Sequence, residues 1–269
     1  MTSEQTTSGT AGPDEHRMQG HWLLASLGKR VLRPGGAALT RALITQAAPS
    51  ADDRIVEFGP GLGHTAAQLL AANPVSYIGV DPNPEGRGAL EKVLAGRTNA
   101  RIQVADAAET GCPDACADLV VGEAMLTMCS PEAKAAIVAE AARLLTPGGR
   151  YAIHELSLTK DADVDPSRGA GASKDISRRI KVGARPLTVR GWSELLESQG
   201  FEVLWTREAP MRLLEPSRLI ADEGLLGAAR FGVNLARRPE ARARVMQMRA
   251  SFREHSDVLR AVAILARRR

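Results

Sequence analysis

The residues best suited to chemistry stand at the ends of short apolar runs. Glu57-Phe58-Gly59-Pro60-Gly61-Leu62-Gly63 closes the run Arg54–Phe58 and opens a stretch of helical pattern. Glycines at this spacing let the chain curl closely beneath a ligand, because they accept positive φ and carry no side chain. A dinucleotide loop of the form G-x-G-x-x-G would need its third glycine at His64, so the spacing here is G-x-G-x-G. Asp81 directly follows Ser76–Val80, and Asp106 follows Arg101–Val104. A carboxylate at the first place can accept bonds from both hydroxyls of a ribose, and one at the second can accept from a purine amino group. Glu123 lies just past Ala117–Val121, and His154 and Glu155 sit within Tyr151–Leu158. Histidine has the better ordinary pKa for a general base, and strand alternation lets only one of this pair face a cleft. Each feature alone also fits a plainer role: a tight turn, a capping aspartate, a buried hydrogen-bonded histidine.

These positions acquire meaning from the elements between them. Thr65–Ala72, Pro84–Leu94 and Pro131–Leu145 carry helical periodicity, and Pro147-Gly148-Gly149 ends the last of them. Strands alternating with helices of this length predict an α/β fold with a parallel, doubly wound sheet. Three chemical features then stand at the same edge of that sheet, where open α/β folds bind ligands. A helical segment of about residues 14–31 and a second helix through Leu43 and Ile44 precede the first strand. Residues 1–13, rich in Ser, Thr and Gly, read as a disordered tail. After Leu158 the pattern changes. Residues 159–187 read as a polar, basic loop, Val189–Ser198 as a helix, Phe201–Glu208 as a sixth strand and Val258–Ala266 as the last. Between those two strands lie two helical stretches within about residues 211–254, with Leu219, Leu226, Phe231, Val245 and Met248 as candidates for an apolar inner face.

In order and spacing, Glu57-x-Gly59-x-Gly61-x-Gly63, Val80-Asp81, Val104-Ala105-Asp106, Asp118-Leu119-Val120-Val121 and Leu145-x-Pro147-Gly148-Gly149-Arg150 resemble the motifs of class I S-adenosylmethionine-dependent methyltransferases, in particular those acting on small molecules. The resemblance covers residues 54–158 by motif and 189–209 by pattern. It implies a single domain over residues 14–269 with a seven-stranded, Rossmann-like sheet, its last strand antiparallel, and a helical lid inserted between strands six and seven. It implies S-adenosylmethionine as cofactor. Gly59, Gly61 and Gly63 would line its methionine and ribose, and Glu57, under the loop, would contact the amino group directly or through water. Asp81 would take the ribose hydroxyls and Asp106 the adenine amino group, with Ala107 offering a backbone amide. Gly122 and Glu123 would face the transferring methyl. Elaborations such as 159–187 and 211–254 usually form an acceptor lid in this family.

What is methylated is read from the strand ends. The Asn/Asp-Pro-Pro-aromatic motif of nucleic-acid and glutamine amino-methylating enzymes is absent, and aromatics make up only 3% of the 269 residues. Stacking platforms for bases are therefore scarce, and a nucleic-acid substrate is disfavoured. Met125, Leu126 and Met128 suggest an apolar wall. A small, partly apolar acceptor follows, with His154 first and Glu123 second as candidate base. The other reading is a binding or regulatory protein that keeps the fold without catalysis. Arg178, Arg179, Lys181 and Arg185 read by default as a solvated basic loop, and would also suit an acceptor with a carboxylate or phosphate. His21 and Trp22 lie in a helix expected to fold over the cofactor. Cys112, Cys116 and Cys129 are too few for a disulfide framework, and the pair Cys112 and Cys116 has no third and fourth ligand at a useful spacing for zinc, so no metal is expected. Hydrophobic residues at 44% and charged residues at 25% exclude global disorder. No stretch approaches a membrane span and no signal sequence is evident, so a cytoplasmic protein is expected.

Overall fold

The computed structural model describes residues 18–269; the tail expected over residues 1–13 lies outside them. Two helices, α1 (Gly20–Ser26) and α2 (Gly36–Ala47), precede β1 (Arg54–Phe58), α3 (His64–Leu70), β2 (Ser76–Val80), α4 (Arg87–Leu94), β3 (Ala100–Gln103), β4 (Ala117–Glu123), α5 (Pro131–Leu144) and β5 (Leu145–Leu158). Then follow α6 (Asp161–Val164), α7 (Pro166–Ile180), β6 (Leu187–Thr188), α8 (Val189–Ser198), β7 (Phe201–Pro210), α9 (Pro216–Arg237), α10 (Pro239–Glu254) and β8 (Leu259–Arg268). The sheet order is β3-β2-β1-β4-β5-β8-β7, with β6 paired to the far end of β5. The first five strands of that order are parallel, and β8 runs antiparallel to both neighbours. This is the Rossmann-like order expected from the motifs, with one two-residue strand added.

The short apolar runs become strands because both faces of the sheet are covered, which favours continuous rather than alternating hydrophobicity. Val56 and Phe58 of β1 and Ile153 of β5 enter one core, with Trp192 and Phe201. Ile55, Leu119 and Ala152 enter the opposite core, with Leu39 and Leu43 of α2. A third cluster sits beyond the C-terminal ends of the strands. There Leu23, Leu24 and Leu27 meet Leu156, Ile176, Phe231, Val245, Met248 and Phe252. Each such side chain, fully buried, contributes roughly 1.5–3 kcal/mol of transfer free energy.

Several boundaries differ from the sequence expectation. Helix α1 begins at Gly20 and ends at Ser26, where Gly28 takes φ +96°. Strand β5 starts at Leu145, and the Pro-Gly-Gly turn is absorbed into it with a register shift against β4. The stretch 159–187 is mostly helix. Two glycines and three serines within α7 hide its period, yet Gly169, Ala172 and Ile176 form a narrow buried stripe. Helix α7 packs closely at Gly169, where a Cβ would come within 2.7 Å of Leu158 Cδ1 and push that side chain aside. In the insert, Phe231, Val245 and Met248 are buried and Leu219 packs against them, but Leu226 is 88% exposed. Helix α9 breaks at Gly224, φ +73°, which turns Leu226 outward. No described helix is long and apolar enough to cross a membrane.

Candidate functional site

Strand order reverses between β1 and β4, and a cavity of about 410 Å³ opens above that point. Its floor begins with the glycine loop. Gly59 and Gly61 have φ of +62° and +52°, and a Cβ on Gly61 would find no atom nearer than the Gly59 carbonyl at 3.9 Å. The backbone there forms an open cradle. The Gly59 amide donates to the Val80 carbonyl at 2.8 Å, and the Gly61 amide donates to Asp81 Oδ2 at 3.2 Å. Asp81 therefore holds the loop, its Oδ1 accepts from the Asn83 amide at 2.9 Å, and the residue lines the cavity. Asp106 accepts from the Ala108 amide at 2.8 Å and lines the cavity beside Ala107.

Glu57, Gly59, Gly61, Asp81, Asp106, Ala107 and Glu123 all line this cavity, as do His21 and Trp22 of α1. Gly63 and Gly122 do not. Gly63 caps α3 in the left-handed conformation against Leu90 and Val93, and Gly122 is buried under Met125. The cradle and the acids at successive strand ends fit S-adenosylmethionine, whose adenosine and amino acid need hydroxyl, amino and ammonium partners.

Glu57 is buried, and its Oε2 accepts a 2.6 Å bond from the Tyr77 hydroxyl. Burial pushes its carboxyl up to about 8, although the Tyr77 bond works the other way. Glu123 has the opposite character. Burial disfavours its charge, but the Arg33 guanidinium and bonds from His154 and Thr65 outweigh that and hold it at about 2. Arg33 Nη1 donates to Glu123 Oε2, and Thr40 Oγ1 donates to Oε1 at 2.7 Å. Residues Arg33, Thr40 and Thr65 carried no sequence signal. They come from three separate segments, and only the fold brings them to Glu123.

His154 is fully buried and is not part of the cavity lining. Its Nδ1 lies 2.9 Å from Glu123 Oε1, and its Nε2 contacts the Pro34 carbonyl oxygen. Both nitrogens are thus engaged. Glu155 points to the other face, as alternation requires, and accepts from the amides of Met125, Leu126 and Thr127 at 2.8–3.0 Å. It braces the turn after β4.

The segment bearing Arg33 and Pro34 is itself anchored to the insert. Glu223 Oε1 of α9 accepts from the Arg30 and Val31 amides at 2.9 and 2.8 Å, and Asp222 accepts from the Ala37 amide at 3.0 Å. Lys29, with no exposed surface, lies 3.7 Å from Glu223.

The far half of the cavity is apolar. Leu24, Leu156, Ile176, Ile180, Met248 and Phe252 face it. Arg178, Arg179, Lys181 and Arg185, whose default reading is a solvated basic surface, are not among the lining residues. Arg178 and Arg179 instead lie by Asp175 on the outer side of α7.

Residues 55–149 match the family described as a methyltransferase domain. A relative from Haemophilus influenzae, an uncharacterized protein, is 31% identical over 259 residues, covering 93% of this chain and 98% of its own. Among solved structures, phosphoethanolamine N-methyltransferase 2 of Haemonchus contortus aligns with a TM-score of 0.69 at 15% identity, over 93% of this chain and 57% of that one. The [4+2]-cyclase SpnF aligns with 0.67 at 19%, over 91% of each. Geranyl diphosphate methyltransferase aligns with 0.63 at 14%, over 87% and 78%. At these identities the structural likenesses speak for the fold alone. The ordered motifs, the domain match and the sheet order together make the chain a member of the class I S-adenosylmethionine-dependent methyltransferases, with S-adenosylmethionine as its cofactor.

Proposed function

We propose that the protein methylates a small, largely apolar acceptor held between α1, α7 and α10. The observation that carries this reading is the division of one cavity into a polar half at the strand ends and an apolar half walled by Leu24, Leu156, Ile176, Ile180, Met248 and Phe252. S-adenosylmethionine, when bound, supplies an activated methyl carbon on a sulfonium. The chain's own residues hold, orient and keep water away. Glu57, Gly59, Gly61, Asp81, Asp106 and Ala107 hold the cofactor. The apolar wall holds the acceptor on the methyl axis and excludes solvent.

Proton removal is a smaller part of this reading. A carboxylate held at about 2 is a weak base, so Glu123 serves as a fixed charge rather than a proton acceptor. His154, with both nitrogens engaged beneath Glu123, positions that carboxylate. This arrangement favours an acceptor atom that carries no proton at the moment of transfer. The test is turnover with S-adenosylmethionine across a panel of apolar thiols, carboxylic acids, phenols and amines, alongside nucleosides and peptides, read as S-adenosylhomocysteine and methylated mass. Turnover in the apolar group is expected. Turnover confined to nucleosides or peptides would overturn the reading.

The cofactor assignment has its own test. Asp81→Ala should weaken S-adenosylmethionine binding by about 1–3 kcal/mol, the loss of charge-assisted bonds to hydroxyls and to the Gly61 amide. Undiminished affinity in calorimetry would remove Asp81 from the site.

A further inference from the structure

A second cavity adjoins the first. Met211, Leu213 and Phe252 line both. The rest of its lining is polar: Arg212, Glu215, Ser217, Arg249, Arg253 and Ser256, with Leu214. Its charges are unbalanced. Glu215 takes two guanidinium groups at once, Arg249 Nη2 at 3.2 Å and Arg253 Nε at 2.8 Å. Arg212 is exposed and has no carboxylate partner among the described residues. One carboxylate therefore faces three permanent cations, leaving two positive charges around a pocket with two serine hydroxyls.

We propose that this arginine-lined cavity is the subsite for the anionic end of the acceptor, whose apolar body fills the first cavity and passes Phe252. The proposal rests on the apolar-acceptor reading and narrows it to amphiphiles ending in a carboxylate or phosphate. Three arguments support it. A methyl acceptor lodged among Leu24, Leu156 and Ile176 gains affinity from burial but little orientation, because hydrophobic contact is non-directional. A charged anchor at the far end fixes which atom meets the methyl. Arginine suits such an anchor because its planar fork binds carboxylate and phosphate through paired donors. Finally, Glu215 tethers α9 to α10 through the same two arginines, so an anion there would draw on donors already held in place.

The test uses the full chain loaded with S-adenosylhomocysteine and three probes of equal chain length: octanoate, octyl phosphate and octanol. Calorimetry should show at least one anionic probe binding about tenfold or more tighter than octanol, the scale of one charged hydrogen-bonded contact. The preference should shrink as salt rises, since the cluster is partly exposed. In Arg249→Gln/Arg253→Gln it should fall below about threefold. Arg212→Gln, which leaves both Glu215 pairs in place, should lower it in part, and serves if the double variant fails to fold. Octanol binding as tightly as both anions would overturn the anion subsite while leaving the apolar acceptor intact. Failure of all three to bind would overturn both.

Discussion

Glu123→Ala should cost about 3–5 kcal/mol of folding stability, the loss typical when one partner of a buried ion pair is removed and the other charge remains. The Glu123 side chain is 6% exposed and that of Arg33 13%. Truncation removes the carboxylate that balances the guanidinium, leaving it with the hydroxyls of Thr40 and Thr65, and leaves His154 Nδ1 with Thr40 Oγ1 alone, at 3.3 Å. Arg33→Ala should cost a comparable amount, and the double variant clearly less than the sum, because its second truncation removes a charge already stranded. Denaturant midpoints for the four proteins measure this directly. Additivity within about 0.5 kcal/mol would show that the pair is not coupled. The acid limb has a definite sign. The folded value of Glu123, about 2, lies below the ordinary carboxylate value of 4.5. Its contribution is therefore fully present above pH 4.5 and is lost as pH falls through about 2. Glu123→Gln should flatten that limb.

The residues proposed to hold the cofactor were legible because each belongs to a local signal. Asp81 and Asp106 stand at strand ends, and Gly59 and Gly61 have a spacing that follows from backbone conformation. The sheet was legible for the same reason: apolar runs of five residues, bounded by turns, have few other uses in an α/β chain. The floor around Glu123 was not. Arg33 lies in an irregular segment, Thr40 faces inward from a helix, and Thr65 sits in the first turn of α3. Nothing local distinguishes them from solvated residues. His154 illustrates the limit most plainly. Its residue type suits proton transfer, but which face of β5 it occupies is set by pairing with β4 and β8, and that face meets Pro34 rather than the cavity. Helix α7 carries little sequence signal because two of the three residues of its stripe, Gly169 and Ala172, are too small to register as hydrophobic periodicity. The period that puts Leu226 on the inner face is broken by one glycine, Gly224.

Binding of S-adenosylmethionine should weaken about tenfold for each pH unit below 8, by roughly 100-fold at pH 6, and should release close to one proton there. The group responsible is Glu57. Its carboxyl is fully buried on the cavity wall, pushed up to about 8 by desolvation, lowered in part by the Tyr77 bond and the Arg33 charge, and raised further by the nearby carboxylates of Glu123 and Asp81. Near neutrality and below, it is mostly protonated in the free protein. An ammonium group placed against it favours the ionised form, so binding is linked to loss of that proton. The free protein follows the opposite trend with pH. A carboxyl whose folded value lies above 4.5 contributes stability below pH 4.5 that is lost as pH rises toward about 8, at roughly 1.4 kcal/mol per unit. Stability of the free chain should therefore fall, and cofactor affinity rise, across the same window. Glu57→Gln keeps the shape and cannot ionise. It should bind the cofactor more weakly at pH 8, show little pH dependence, and lose the stability slope. Calorimetry in buffers of different ionisation enthalpy counts the protons released. A wild-type chain that releases none between pH 6 and 8, and whose affinity is flat, would place the cofactor's amino group away from Glu57.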